Sequence, residues 1–310
     1  MPFIISDVSY VDLNFCGTPK AIATGVYGGD AGVVLVDPGP GSCIDTLREL
    51  LKAQGIAVGD IQAVLATHIH LDHAGATGLL VEENPKIRVF VHEKGAPHMI
   101  DPSKLISSAN QLWGEEGVAR LWGRTLPVPP SNLHVLGEHD RIIAGGHAFD
   151  VRYTPGHASH HVSYFDEQTG IAWAGDTAGL RFTSRVFTLP PTPPPDIDLE
   201  AWRESIAKLR AWRPETVFIT HFGAYGGVDE HLDHLETSLR DVADMAKRAL
   251  DSDLADEAKY ERFKGEVIAY VHRALPQDEV AEIAPLEHVG PLDFNWRGLV
   301  RYWRKRTTKA

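Results

Sequence analysis

Four side chains that bind metals fall within six residues of one short segment. Residues 66–75 read ATHIHLDHAG and contain His68, His70, Asp72 and His73. Imidazole and carboxylate groups are ligands for zinc and similar divalent cations. In extended backbone, residues two apart project to the same side, so the spacing predicts that the first three converge, while His73 points to the place of a second ion. A polar surface loop is the alternative, but chance rarely puts four such residues together.

A buried strand is predicted directly before these ligands. Residues 61–66 read IQAVLA, a short and mainly apolar run that is typical of such a strand. Residues 74–80 are expected to open a helix, so the ligands are expected on the turn where the strand ends. Along the rest of residues 21–227, predicted strands alternate with predicted helices, which indicates two layers of sheet with helical cover.

The pattern HxHxDH resembles the signature of the metallo-β-lactamase superfamily, and three later motifs extend the resemblance. That superfamily places a third histidine after a strand, often as TPGH, then an aspartate in a strand-end GD, then a last histidine after another apolar strand. Residues 153–161 read YTPGHASHH, residues 172–177 read AWAGDT, and residues 216–223 read TVFITHFG. The four motifs occur in the expected order, and their residues are most similar to those of the glyoxalase II branch.

The resemblance implies a site for two metal ions and gives each ligand a role. Three histidines match the ligands of the first ion, an aspartate and two histidines match those of the second, and one aspartate matches the bridge between them. In that order, these residues are His68, His70 and His157; Asp72, His73 and His221; and Asp176. A carboxylate can span two cations about 3.5–4 Å apart. We expect both ions to be zinc, with iron or manganese as alternatives that the same ligand types accept.

Three of these assignments leave alternatives open. His160 and His161 also follow the Pro-Gly turn, so either is an alternative to His157 as the ligand. Relatives often have glycine where His160 stands, which makes His160 a candidate for lining the substrate cleft, and His161 is expected to support the site from behind. The alternative for Asp176 is an ordinary turn residue, and for His221 it is a core histidine with satisfied hydrogen bonds.

Other polar residues receive structural interpretations. Asp37, in the segment VLVDPGPG, is expected to order the ligand loops. His231 and His234 are three apart on a predicted helix and are surrounded by acidic residues, so a solvated helix face is expected there. Asp198 is predicted to cap the helix that follows it, because aspartate is a preferred residue at that position.

The proline-rich segment 178–196 follows the GD motif and is predicted to form part of the substrate wall. Its five prolines exclude a regular helix or an interior strand. The apolar side chains are expected to line the substrate, and either arginine is expected to hold a substrate carboxylate, because guanidinium pairs with it bidentately. A rigid connector with solvated arginines is the alternative. The candidate residues are Arg181, Phe182, Arg185, Phe187 and Leu189.

Composition narrows the class of protein. The chain has 30 Lys and Arg against 42 Asp and Glu, a net charge of −12, which argues against a nucleic-acid binder, because that function needs a basic face. Cys16 and Cys43 lie outside any CxxC pattern and are expected to be unpaired thiols. Neither a signal peptide nor a stretch of ~20 apolar residues is apparent. We therefore expect a cytoplasmic protein with no membrane partner; the oligomeric state is not indicated.

The resemblance implies an α/β fold, the αββα metallo-β-lactamase sandwich, with the metal site at one edge between the two sheets. Residues 1–227 are expected to form this catalytic domain, and residues 228–310 a helical C-terminal extension that covers or flanks the active site.

The expected activity is hydrolysis of an ester, thioester, lactone or amide of a small molecule. A hydroxide that bridges the two metal ions would attack the acyl carbon, with Asp72 orienting it. The alternatives are an iron-dependent sulfur dioxygenase of the same fold and a metal-stabilised binding module without turnover. We find no match to the basic residues with which glyoxalase II binds glutathione.

Overall fold

The computed structural model describes residues 3–5 and 7–307. The strands are β1 (Phe3–Ile5), β2 (Val8–Asp12), β3 (Ala23–Tyr27), β4 (Val33–Val36), β5 (Ile61–Leu65), β6 (Arg88–His92), β7 (Leu133–Leu136), β8 (Arg141–Ala144), β9 (His147–Tyr153), β10 (Val162–Asp166), β11 (Ile171–Trp173), β12 (Thr216–Ile219) and β13 (Gly223–Tyr225). The helices are α1 (Ile44–Lys52), α2 (Leu71–Ala74), α3 (Thr77–Glu83), α4 (Ala96–Ile100), α5 (Ser103–Leu121), α6 (Leu199–Ala211), α7 (Val228–Leu250), α8 (Asp256–Ala274), α9 (Gln277–Val280), α10 (Leu286–Val289) and α11 (Leu292–Thr307).

The strands form two mixed sheets. One sheet has the order β1-β2-β3-β4-β5-β6-β7, and the other has the order β13-β12-β11-β10-β9-β8. Strands β4 to β7 run parallel, as do β11 and β12, whereas the remaining neighbours are antiparallel. A parallel pair needs a crossover connection, which the helices between these strands supply.

Side chains alternate between two separate cores along the central strands, as the period of two in a strand requires. Val34 and Val36 of β4 lie in the core between the two sheets, whereas Val33 and Leu35 lie in the core beneath the helices. The sheets approach closely at Gly25, where an added Cβ would lie 2.1 Å from the indole of Trp173. The expected αββα sandwich is confirmed, because each sheet has one face in the inner core and one face under helices.

The carboxyl ends of the strands carry the predicted functional residues. His68 follows β5, Asp176 follows β11, and His221 follows β12. Parallel strands bring their carboxyl ends to the same edge of a sheet, so residues that are far apart in the chain meet there. The turn expected after the IQAVLA strand is confirmed, since β5 ends at Leu65.

Helices α7 to α11 follow the last strand, in agreement with the sequence, whereas α6 lies between β11 and β12. Helix α6 begins after Asp198, whose side chain accepts a hydrogen bond from the backbone N–H of Ala201 at 3.0 Å, so the predicted cap is confirmed. Helix α7 buries Leu232, Leu235 and Leu239, whose spacing places them on one face. It packs against α6, α8 and α11. The division into two domains at residue 228 stays a prediction, although α7 begins there.

Two further properties concern the described residues as a whole. None of the helices that the structure describes combines the length and the apolar character needed to cross a membrane. Cys16 is exposed and Cys43 is buried, and both are free thiols, which agrees with the prediction that they are unpaired.

Candidate metal centre

All seven predicted ligands converge at the edge of the sandwich. They form three overlapping groups in which the candidate ligand atoms of each group lie within 4.8 Å of one another. The groups are His68, His70 and His157; His68, His73 and Asp176; and Asp72, His73 and His221. Residues separated by up to about 150 positions in the sequence are therefore brought to one place by the strand ends.

The first three histidines direct nitrogen atoms at one another. His70 Nδ1 lies 2.9 Å from His68 Nε2 and 3.0 Å from His157 Nε2. Burial lowers the pKa of His68 and of His70 well below the ordinary histidine value, and the neighbouring histidines lower it further. Burial also lowers the pKa of His157. These imidazoles are neutral at pH 7 and present lone pairs, which is the state that binds a cation.

Asp176 faces both groups with its two oxygen atoms. Its Oδ2 lies 3.4 Å from His157 Nε2, and its Oδ1 lies 3.3 Å from His73 Nε2 and 3.5 Å from His221 Nε2. Oδ1 is buried and has no hydrogen-bond partner of good geometry among the described residues. A buried carboxylate oxygen without a hydrogen-bond partner is costly, and its position among the histidine nitrogens suits a bound cation.

The donor set fits two divalent metal ions. His68, His70 and His157 would hold one ion, and Asp72, His73 and His221 would hold the other, with Asp176 between them. His221 Nε2 lies 3.4 Å from Asp72 Oδ2. Imidazole and carboxylate ligands are accepted by zinc, iron and manganese, so the residues alone do not select the metal.

The remaining ring nitrogens of three ligands are held by hydrogen bonds. His157 Nδ1 donates to the carbonyl oxygen of Pro191 at 2.9 Å, and His221 Nδ1 donates to the carbonyl oxygen of Ala21 at 2.7 Å. His73 Nδ1 lies 2.8 Å from Asp37 Oδ2. Such partners fix the tautomer and the ring orientation, so each ligand presents Nε2 to the centre.

Asp37 ties three of the loops together, as its position in the sequence predicted. Its carboxylate accepts hydrogen bonds from the backbone N–H and the hydroxyl of Thr67 at 2.8 and 2.7 Å, and from the hydroxyl of Thr220 at 2.8 Å. Sequence reasoning missed both threonines. The signal that could have found them is the Thr-His pair, which occurs before His68 and again before His221.

The neighbours of His157 have different surroundings. His161 is fully buried, and its Nδ1 lies 2.9 Å from Thr154 Oγ1 and 3.1 Å from Thr177 Oγ1. It therefore lies behind the ligands, where the sequence analysis expected it. His160 lines the cavity beside the centre, and its Nδ1 is buried without a hydrogen-bond partner in the described chain.

The local conformation of the first motif differs from the expectation. Helix α2 begins at Leu71, so Asp72 lies on a helical turn and not on extended backbone. The prediction that His68, His70 and Asp72 converge was wrong, because the side-chain direction changes where the helix begins. Asp72 instead groups with His73 and His221, which is the assignment that the family resemblance implied.

The proline-rich segment does not bring its arginines to the cavity beside the ligands. Leu180 pairs with Leu189, so residues 181–188 fold back as a loop. The guanidinium of Arg181 lies 4.0 Å from the ring centroid of Tyr225 and donates to the carbonyl oxygen of Ser184. Arg185 is paired with Glu279.

Three apolar side chains of this segment are also buried away from the cavity lining; they are Phe182, Phe187 and Leu189. The expected substrate contacts of this set therefore have no counterpart in the cavity, where the prolines of the segment lie instead.

The solvated face expected for His231 was wrong. His231 is fully buried, and its Nε2 donates to the carbonyl oxygen of Ala178 at 2.8 Å.

In protein loaded with two zinc ions, the ion at the group of Asp72, His73 and His221 is expected to be lost first as the pH falls. Burial opposes the charged form of His73, but Asp176, Asp72 and Asp37 together raise its pKa well above the ordinary value. His73 must therefore release a proton when it binds an ion, whereas His68 and His70 are already neutral. Equilibrium dialysis between about pH 8 and about pH 6, followed by elemental analysis, should show zinc falling from two ions per chain to one. Simultaneous loss of both ions would contradict this order.

Comparisons with known proteins agree with this geometry. The family model described as "Metallo-beta-lactamase superfamily" matches residues 17–221. The metallo-beta-lactamase fold-containing protein ST1585 of Sulfurisphaera tokodaii is 26% identical over 219 residues, which cover 69% of this chain and 78% of that protein. A hydroxyacylglutathione hydrolase of Methylobacterium sp. is 25% identical over 232 residues, covering 74% of this chain and 73% of the relative.

A solved structure shows the same fold over nearly the whole chain. The metallo-beta-lactamase family protein TTHA1429 from Thermus thermophilus superposes with a TM-score of 0.73 at 20% identity, covering 98% of this chain and 95% of that one. At this identity the likeness concerns the fold. The family model spans well over half of the chain and includes every predicted ligand, from His68 to His221. The chain belongs to the metallo-beta-lactamase superfamily.

Proposed function

We propose that this protein is a metal-dependent hydrolase that cleaves an ester, thioester, lactone or amide bond of a small molecule. The observation that carries the proposal is the position of Asp176, whose two oxygens face two separate sets of ligands. A relative named hydroxyacylglutathione hydrolase supports acyl hydrolysis as the class of reaction.

Each set of ligands would hold one divalent ion. His68, His70 and His157 form the first set and Asp72, His73 and His221 the second; Asp176 is shared. When bound, such a pair of ions lowers the pKa of a water molecule toward ~7 and polarises the carbonyl oxygen of the substrate. The protein needs no serine or cysteine nucleophile for this chemistry.

Two side chains that line the cavity, Asp72 and His160, are placed to contact a substrate. Burial opposes ionisation of Asp72, but His73 and His221 lower its pKa to about 2, so its carboxylate is charged at neutral pH. We assign it the task of accepting a hydrogen bond from the attacking water and orienting it. Burial lowers the pKa of His160 to about 4, so its ring is neutral, and its Nδ1 has no hydrogen-bond partner among the described residues.

The second set of ligands favours hydrolysis over oxygen chemistry at a single iron. A sulfur dioxygenase of this fold would use fewer ligands around one metal, whereas here Asp72, His73 and His221 remain together and complete. The presence of two ligand sets thus supports a dinuclear hydrolase.

Metal content and turnover test the proposal together. We expect the purified full-length chain to bind two zinc ions and to hydrolyse at least one substrate in a panel of esters, thioesters, lactones and β-lactams. Chelation should abolish the activity and zinc should restore it. A chain that holds two zinc ions but hydrolyses none of the panel would overturn the hydrolase, and a chain that holds one iron and consumes oxygen with a persulfide would replace it with the dioxygenase.

A further inference from the structure

A cavity of about 390 Å³ opens beside the candidate metal centre. Its lining includes His70, Asp72, His157 and Asp176, so a molecule inside it contacts the groups that would hold the metals. The volume lies at the lower end of the ~300–1,000 Å³ that small-molecule sites occupy. The cavity therefore accommodates a small substrate and not a large peptide.

Another part of the cavity lining is apolar and comes from two helical segments. We call it the apolar wall. It consists of Leu105, Leu112 and Trp113 on α5 and of Val289, Pro291 and Phe294 in the C-terminal segment. Val289 and Phe294 are buried, whereas the cavity-lining residues Lys94 and Lys104 are exposed. The two lysines thus lie toward solvent, whereas the part of the interior surface formed by these two segments is apolar.

Aromatic contacts join the two halves of this wall. The ring centroids of Trp113 and Phe294 lie 4.8 Å apart at 68°, and those of Trp113 and Trp122 lie 5.3 Å apart at 78°. Edge-to-face pairs of this kind are favourable beyond the area that they bury. The apolar wall is therefore a continuous surface, and the C-terminal segment supplies half of it.

The C-terminal segment is also bonded to the loop that holds a candidate metal ligand. Asn295 Oδ1 accepts a hydrogen bond from the backbone N–H of Thr192 at 2.8 Å. The preceding residue, Pro191, accepts the hydrogen bond from His157 Nδ1. The wall and the centre consequently have fixed positions relative to each other.

We propose that the substrate carries an apolar acyl group of medium length, which lies against the apolar wall while its carbonyl faces the metal ligands. This inference rests on the proposed hydrolase activity. In the reaction, the oxygen of water bonds to the acyl carbon, the bond from that carbon to the leaving oxygen or sulfur breaks, and the leaving group takes up a proton. The products are an apolar carboxylic acid and an alcohol or thiol.

A chain-length series measures the contribution of the wall. The zinc-loaded protein is assayed with 4-nitrophenyl acetate, butyrate and octanoate, and with the hemisuccinate ester as a charged acyl group. Burying a methylene is worth roughly fourfold in kcat/KM, so octanoate should exceed butyrate by on the order of 100-fold. The hemisuccinate ester should be no better than butyrate.

A binding assay is independent of turnover. Trp113 and Trp122 line the cavity, so octanoate should change the tryptophan fluorescence saturably, while acetate at the same concentration should not. Leu112 lines the cavity and Ile106, on the same helix and also half-buried, does not. Leu112→Asp should bring the octanoate-to-butyrate ratio toward one and abolish octanoate binding, and the matched control Ile106→Asp should retain both.

The outcomes separate this inference from the hydrolase proposal. Hydrolysis that is independent of chain length, or that is fastest with the hemisuccinate ester, overturns the apolar substrate and leaves the hydrolase intact. Octanoate binding that Leu112→Asp removes, without hydrolysis of any ester by the chain with two zinc ions, overturns the hydrolase and supports the apolar site. If Leu112→Asp and Ile106→Asp change the octanoate-to-butyrate ratio and octanoate binding equally, the proposal that the apolar wall contacts the acyl group is overturned.

Discussion

Asp176→Asn is expected to lower kcat/KM by more than about 100-fold and to reduce the zinc content from two ions per chain to one. Loss of a group that only supports a metal ligand typically costs ~10–100-fold, whereas Asp176 would contact both ions directly. The substitution replaces one carboxylate oxygen with an amide N–H₂ group, which repels a cation. It also removes the negative charge that would lie between the two ions and reduce their mutual repulsion.

The control for this variant is another aspartate of the same cavity. Asp196 lines the cavity, but it accepts a hydrogen bond from the Ser159 hydroxyl at 2.6 Å and belongs to none of the three ligand groups. Asp196→Asn should keep two zinc ions per chain. Elemental analysis and kinetics on both variants, loaded side by side, give the answer. If Asp176→Asn retained two ions and wild-type turnover, the bridging position would be refuted.

Asp37→Ala is expected to lower the free energy of unfolding by about 3–5 kcal/mol. The change removes the acceptor for two hydroxyls and one backbone N–H, from Thr67 and Thr220, all of them buried. It also removes the partner of His73 Nδ1. Buried donors that lose their acceptor keep the whole desolvation cost, so the loss exceeds that of a surface hydrogen bond.

Urea unfolding of metal-free and zinc-loaded protein separates the two effects of Asp37→Ala. Destabilisation should already appear without metal, because the hydrogen bonds to Thr67 and Thr220 do not depend on it, and it should grow with zinc, because His73 is then held less firmly. Asp30→Ala, at an exposed turn between β3 and β4, is the control and should stay within about 0.5 kcal/mol of wild type. A similar result for both variants would show that the bonds to Asp37 contribute little.

Local patterns in the sequence determined the elements and the types of ligand. The apolar run of β5 and the cap at Asp198 depend on neighbouring residues, so they were predictable from short windows. The same holds for the HxHxDH motif, because its ligands are close in the sequence. The later histidines and the aspartate were identified by their order within the family pattern, since nothing in their own segments joins them.

Side-chain direction and partners required the tertiary structure. The position of Asp72 depends on where α2 begins, and a helix start shifts by a residue without a clear sequence signal. The burial of His231 depends on the carbonyl of Ala178, 53 positions away. The loop at Arg181 faces Tyr225 and not the cavity, because Leu180 pairs with Leu189. Such contacts are set by packing between distant segments, which no local pattern encodes.

The sequence by itself thus determined which side chains can bind metal and, through the strand that precedes each of them, that they lie at strand ends. The tertiary structure decided which candidate ligands lie together, because that depends on the meeting of two sheets and on the two oxygens of Asp176, which face different histidines. It also decided the character of the substrate cavity. Trp113 and Phe294 are far apart in the chain, and only the docking of the C-terminal helix against α5 makes them one surface.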